Sequence, residues 1–280
     1  IMEEKNPYSG TQAVLRAIAL LKTFSDTQPE WSLNQLARAA RLNKTTAYRL
    51  LSALESERLV TRNPATGAYR LGPEAIALGG RALRSNDLRF ASQGELEDLA
   101  QRVGEAASLE ILVGSQVMIL AEVPSSYLVA TWQTVGTRFP AHATSTGKLL
   151  LAYLGEPERA RILQPPLARL TDKTITDLDE LEQQLAQVRA QGFATSEGEM
   201  EHGYVAVSAP VHNHEGQVVA AVSIGGPDIR LYPRRLPEVI ALVKATAERI
   251  SSRLGWIGSP QPADSHHVTM LNARHLRKER

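Results

Sequence analysis

The stretch SLNQLARAARLNKTTAYRLL, residues 32–51, decides how the first part of this chain folds. Ser32 followed three residues later by Gln35 is a capping box, in which the hydroxyl takes a first-turn amide and the glutamine reaches back to the cap. Leu33, Leu36, Ala37 and Ala40 then recur at helical spacing until Arg41 and Leu42. Asn43 is placed to cap a second helix, where Ala47, Leu50, Leu51 and Leu54 mark a buried face at i, i+3, i+4 and i+7. The opposite face presents Lys44, Thr45, Thr46, Tyr48, Arg49 and Ser52. Hydroxyls and a guanidinium near a helix N-terminus suit phosphate oxygens, and arginine can take a guanine edge through paired hydrogen bonds.

Upstream, Thr11 to Ser25 carries Val14, Ile18 and Leu21 at helical period, with Leu15, Leu20 and Phe24 widening the stripe. Downstream, Val60 to Leu71 reads as two short strands around a turn of Asn, Pro and Gly, with Arg62 and Arg70 flanking its tip. Helix, short helix, turn, helix and hairpin together predict a winged helix-turn-helix, a geometry that places its second helix in the major groove of DNA. The candidate DNA-contacting residues are Ser32, Lys44, Thr45, Thr46, Tyr48, Arg49, Ser52, Arg62 and Arg70.

Charge divides along the chain in the same sense. Ser9 to Gly72 holds nine Lys or Arg against four acids, whereas Leu88 to Gly255 holds fifteen against twenty. A module at +5 attracts a polyanion and a body at −5 repels one, which confines a nucleic-acid surface to the first part.

Pro73 to Ala82 is helical in composition and reads as a connector with a flexible point at Gly79-Gly80, whose apolar residues suit the same connector of a second subunit. A longer amphipathic pattern follows from Leu88 to Val103. Strands are expected at 109–113, 117–123, 128–135, 204–211 and 218–224, and helices from Thr144 or Ser145 to Tyr153, over 157–163, over 178–189 and over 237–254. The fold class is therefore α/β mixed in two domains: a winged helix-turn-helix over residues 11–72, a linker helix over 73–87, and a C-terminal α+β domain over 88–255. Residues 1–10 and 256–280 are expected to be disordered termini.

Several chemistries find no support. TGKL at Thr146 lacks the first glycine of a phosphate loop, and no GxSxG elbow occurs. His212, His214 and Glu215 have spacing compatible with a metal but fall in an expected hairpin turn, so no metal, catalytic residue or cofactor is assigned. The chain has no cysteine. Its longest apolar runs, such as Val218 to Ile224, are too short to span a bilayer and no basic-then-apolar leader is visible, so a cytoplasmic location away from membranes is expected.

The motifs LNKTTAYRLLSAL from Leu42, YRLG from Tyr69, HATSTGKLLLA from His142, GFA from Gly192, VSAPV from Val207 and AAVSIGGP from Ala220 resemble the IclR-type bacterial transcriptional regulators. The resemblance covers Thr11 to about Gly255. It implies a GAF-like effector-binding domain behind the winged helix-turn-helix, homodimers or dimers of dimers on a double-stranded operator, and control by a small organic effector, organic or aromatic acids among the candidates. By the same resemblance the effector pocket draws on Trp132, Ser145, Thr146, Ser196, Tyr204, Ala206 and Ser223. Some members that bind small acids carry an acid where Ser196 stands, which adds the adjacent Glu197. The expected function is a ligand-responsive DNA-binding regulator, with repression the expected sign. The alternative is a small-molecule-sensing or enzymatic domain whose N-terminal module mediates protein contacts, an account that leaves the Lys44 to Arg49 face unused.

Overall fold

The computed structural model describes residues 11–25, 27–127, 134–231 and 233–258. The chain divides into two compact units, Ile1–Ser85 and Asn86–Arg280.

The first unit opens with α1 (Gln12–Leu21), α2 (Leu33–Ala39) and α3 (Lys44–Ser56), then the ribbon β1 (Val60–Arg62) and β2 (Tyr69–Leu71), and closes with α4 (Pro73–Arg84). Its core is Leu20, Leu36, Leu51, Leu54, Val60 and Tyr69, with Trp31, Leu33, Leu42 and Leu50 packed at the margin. Both reciprocal bonds of the capping box at Ser32 are made. Asn43 accepts the Thr46 amide at 2.7 Å. Between α2 and α3 the chain reverses at Arg41, which takes a positive φ of 53°. The ribbon pairs Val60 with Leu71, Thr61 with Arg70 and Arg62 with Tyr69.

The connector differs from the expectation. Helix α4 runs unbroken through Gly79 and Gly80, and the chain leaves helical geometry only at Ser85–Asn86, before α5 (Asp87–Val103). Proline at the first helical position, Glu74 in the first turn, Arg81 and Arg84 in the last turn, and a Glu74–Arg81 ion pair at 3.4 Å offset the glycine cost of about 1 kcal/mol each. No residue of α4 is buried, and Ile76 stands 75% exposed; on α1, Val14 is 59% exposed.

The second unit continues from α5 with β3 (Ala106–Val113), β4 (Gln116–Val123) and β5 (Arg138–Pro140). A 3₁₀ turn (Ala141–Ala143) leads into α6 (Ser145–Ala152), α7 (Glu156–Ile162), α8 (Leu178–Gln191) and β6 (Ala194–Glu197). The unit ends with β7 (Tyr204–His212), β8 (Val218–Pro227), α9 (Asp228–Leu231) and α10 (Leu236–Arg253). The strands form one antiparallel sheet in the order β5-β4-β3-β8-β7-β6. Helices α5 and α10 pack together and onto the sheet, while α6 packs onto the sheet and against α8. Leu149, Leu150, Leu151, Leu181, Leu185 and Val188 fill the space around α6 and α8.

Three elements lay below sequence detection. β5, β6 and α9 have three, four and four residues, and ATSE in β6 is small and polar, so no apolar alternation announces it. Of the expected strand at 128–135, residues 128–133 lie outside the described set, while Thr134 to Thr137 form a turn closed by a 3.0 Å backbone bond. The C-terminal boundary also shifts. Trp256 stacks on His212 with ring centroids 4.7 Å apart, so it belongs to the packed body. His212 ends β7 instead of lying in the turn, and no metal-competent group of three or more His, Cys, Asp or Glu exists among the described residues. None of their helices is long and apolar enough to cross a membrane.

Candidate DNA-reading surface and effector cavity

The candidate reading surface is the solvent face of α3. Burial of Ala47, Leu51 and Leu54 leaves Lys44, Thr45, Tyr48 and Arg49 exposed, with Thr46 and Ser52 half-buried beside them. The side chains of Lys44, Thr45 and Arg49 make no hydrogen bond or ion pair among the described residues, so their polar ends remain available. The other candidates are more committed. The Ser32 hydroxyl donates to Gln35 Oε1 at 2.7 Å and accepts the Gln35 amide. Arg62 donates from Nε to the Gly67 carbonyl at 3.1 Å and lies over the Tyr69 ring at 5.6 Å, and Arg70 donates to the Thr61 hydroxyl at 3.4 Å. Because opposed residues of an antiparallel pair share a face, the register puts Arg62 and Arg70 on opposite faces of the wing.

The second site is a cleft of about 520 Å³ between the N-terminal end of α6 and the sheet. Thr144 caps α6 by accepting the Gly147 amide at 3.1 Å, which leaves the Ser145 and Thr146 amides without an intrahelical acceptor. A Cβ at Gly147 would lie 2.1 Å from the Ala141 carbonyl oxygen, so only glycine lets the helix start this close to the preceding turn. That turn is held by His142, whose Nε2 bonds the Ala168 carbonyl at 2.8 Å, and by Ser196, whose hydroxyl donates to the Ala143 carbonyl at 3.1 Å. On the sheet side, Glu122, Ser108, Ser223 and Ser208 face one another across β4, β3, β8 and β7.

Ser145, Thr146, Ser196, Tyr204, Ala206 and Ser223 all line this cleft. Glu197 does not: strand alternation turns it from the face of Ser196, and it pairs with Val205 while Ser196 pairs with Ala206. Trp132 lies outside the described residues. Sequence reasoning missed two acids. Glu110 accepts from the Thr146 hydroxyl at 2.6 Å and from the Ser108 hydroxyl at 2.8 Å, and burial pushes its carboxyl above the usual range against both bonds. Glu122 is pushed up to about 7, first by burial and then by the Glu110 charge. Glu110 had a signal, being a charge inside the apolar run of β3.

Outside the cleft lining, α6 carries a fully buried lysine. Lys148 donates to Glu199 on the loop that follows β6, and burial pulls its ammonium below the usual value even though Glu199 opposes this. Thr171 and Thr174 hydroxyls donate to carbonyls of the same loop, at 2.7 Å to Gly198 and 2.7 Å to Glu199. Met200 extends this loop into the cleft wall.

Known proteins share both halves of this arrangement. The IclR helix-turn-helix domain model matches residues 13–64, and the bacterial transcriptional regulator IclR C-terminal model matches residues 80–252. The HTH-type transcriptional regulator XynR of Escherichia coli is 31% identical over 246 residues, covering 88% of this chain and 98% of that protein. The HTH-type transcriptional repressor AllR of Klebsiella pneumoniae is 30% identical over 254 residues, covering 90% and 93%. Among solved structures, an IclR homologue from Microbacterium hydrocarbonoxydans complexed with 4-hydroxybenzoate superposes with a TM-score of 0.75 at 28% identity, covering 86% of this chain and 98% of that one. With one family model matching more than half of its length and relatives aligned almost end to end, the chain belongs to the IclR family of bacterial transcriptional regulators.

Proposed function

We propose that this regulator acts as a repressor, reading operator DNA with the α3 face and releasing or rearranging on it when a small organic effector fills the cleft beneath α6. The observation that carries the reading is the unpartnered, exposed set Lys44, Thr45 and Arg49 at the N-terminal end of a helix-turn-helix second helix. Arg49 reads a base edge, Lys44, Thr45, Thr46, Tyr48 and Ser52 hold the groove walls, and Arg62 and Arg70 steady the wing against the backbone. The hydroxyl and the backbone amide of Ser32 are both spent on its own capping box.

Two winged modules on one operator require a second copy of the chain. The exposed Val14, Leu15 and Ile18 of α1 and Ile76 and Leu78 of α4 support a homodimer or a dimer of dimers, because apolar side chains of this size gain by leaving water. A change in the relative placement of two modules then alters affinity for a paired site.

The test is Arg49→Ala against DNA selected from a random library by the wild-type chain. Affinity is expected to fall by about 1–3 kcal/mol, roughly five- to a hundred-and-fiftyfold, and specificity at one base pair to relax, while the oligomeric state stays as it was. Unchanged affinity with unchanged specificity overturns the assignment.

A further inference from the structure

The acids wholly or partly withdrawn from water in the second unit, Glu110 buried and Glu122 half-buried among them, divide into two kinds. Glu95 pairs with Arg249 and Arg253, Glu105 with Arg230, and Glu199 with Lys148. Glu110 and Glu122 have no such partner, and both line the cleft beneath α6. Among the described lining residues there is no lysine, arginine or histidine. The Glu122 carboxylate makes no hydrogen bond or ion pair among the described residues, and the hydroxyl of Ser223, a residue 6% exposed in the same cleft, has no hydrogen-bond partner among them either. Acids inside proteins are normally paired, so a cleft that gathers two without a cation is built for a cation supplied from outside.

Resting on the effector reading above, we propose that the effector is a small organic amine whose ammonium pairs with Glu122 and Glu110 while its apolar body lies against Phe139, Met200 and Tyr204. The hydroxyls of Ser108 and Thr146 are both donated to Glu110, which fixes its two oxygens and opposes, without outweighing, the burial that favours its neutral form until a cation arrives. An anionic effector would meet two carboxyls with no cation beside them. A neutral polyol would satisfy Ser223 and leave both carboxyls without a cation. The elevated proton affinity of both acids is what burial without a cation produces.

Three probes with one ring and different heads, benzylamine, benzyl alcohol and benzoate, test this by titration calorimetry on the full chain at about pH 8, where a carboxyl titrating near 7 is charged. Benzylamine is expected to bind tightest. Glu122→Gln should lower its affinity about tenfold or more and change that of benzyl alcohol by less than about threefold, and Glu122→Lys should turn the preference towards benzoate. If these variants do not fold, the wild-type chain still decides, because raising salt from about 0.05 to about 0.5 M should weaken benzylamine and spare the alcohol. Benzoate binding as tightly as benzylamine, no binding by any of the three, or an affinity for benzylamine indifferent to Glu122 and to salt overturns the proposal. Tight benzoate binding that alters DNA affinity removes the amine and keeps the effector reading. Benzylamine binding that never alters DNA affinity does the reverse.

Discussion

Helices α3 and α6 are built to the same local plan and used in opposite ways. Each begins with a side-chain cap, Asn43 for one and Thr144 for the other, and each offers the first turn of a helix to a partner. Yet α3 buries three of its thirteen residues, whereas every one of the eight residues of α6 is buried. The exposed helix carries its functional groups on one face and can be altered there without disturbing its core. The enclosed helix shares functional groups with strands and loops far away in sequence, as Thr146 does with Glu110 and Lys148 with Glu199. The candidate reading face of α3 is therefore modular, and the cleft around α6 is a property of the whole second unit.

The largest expected effect falls on the enclosed helix. Lys148→Ala leaves Glu199 buried without a counter-charge and should destabilise the second unit by about 3–5 kcal/mol, read from urea denaturation. The double replacement Lys148→Met with Glu199→Leu should recover much of that loss, since matched apolar groups do not need each other's charge. A single variant as stable as wild type would break the contrast between the helices.

On the exposed helix the same kind of change is local. Asn43→Ala removes the acceptor of the Thr46 amide and should cost the first unit about 1 kcal/mol by thermal melting. The melting of the second unit should not move. Lys44→Ala should leave stability alone and weaken DNA binding similarly for all sequences, lowering the slope of log affinity against log salt by about 1. A sequence-dependent loss would instead make Lys44 a base reader.

The smallest effect is a slope with pH. Glu122 binds its proton more tightly folded, at about 7, than a carboxyl does in the unfolded chain, so the folded state holds more protons between those values. Its contribution therefore favours folding at low pH and is lost as pH rises through about 7. Glu122→Gln should flatten stability over that window. A steeper decline in the variant would mean that another group sets it.

How far the sequence could be read follows from the same contrast. The face of α3 was legible because one helical period sorts core from surface within thirteen consecutive residues. The cleft was legible only where family motifs coincide with it, at Ser145, Thr146, Ser196, Tyr204, Ala206 and Ser223. Glu197 shows the limit, since a one-residue offset on a four-residue edge strand moves a side chain to the other face. Glu110 and Glu122 lie on two neighbouring strands, and their shared role depends on a register that residue spacing does not encode. The unbroken α4 shows the reverse error, a local glycine signal overruled by a proline at the helix start and charge at the two helix ends.

Trp256 has a practical meaning for anyone cutting or tagging the protein. Its indole covers the ring of His212, whose Nδ1 is buried without a partner, and Tyr153 meets the same ring edge-on at 6.3 Å. A chain ended after Gly258 keeps this stack whole, while one ended at Leu254, the C-cap of α10, uncovers the imidazole and wets the seam between β7 and α10. The boundary for a tag is thus set by one aromatic lid and not by where the final helix stops.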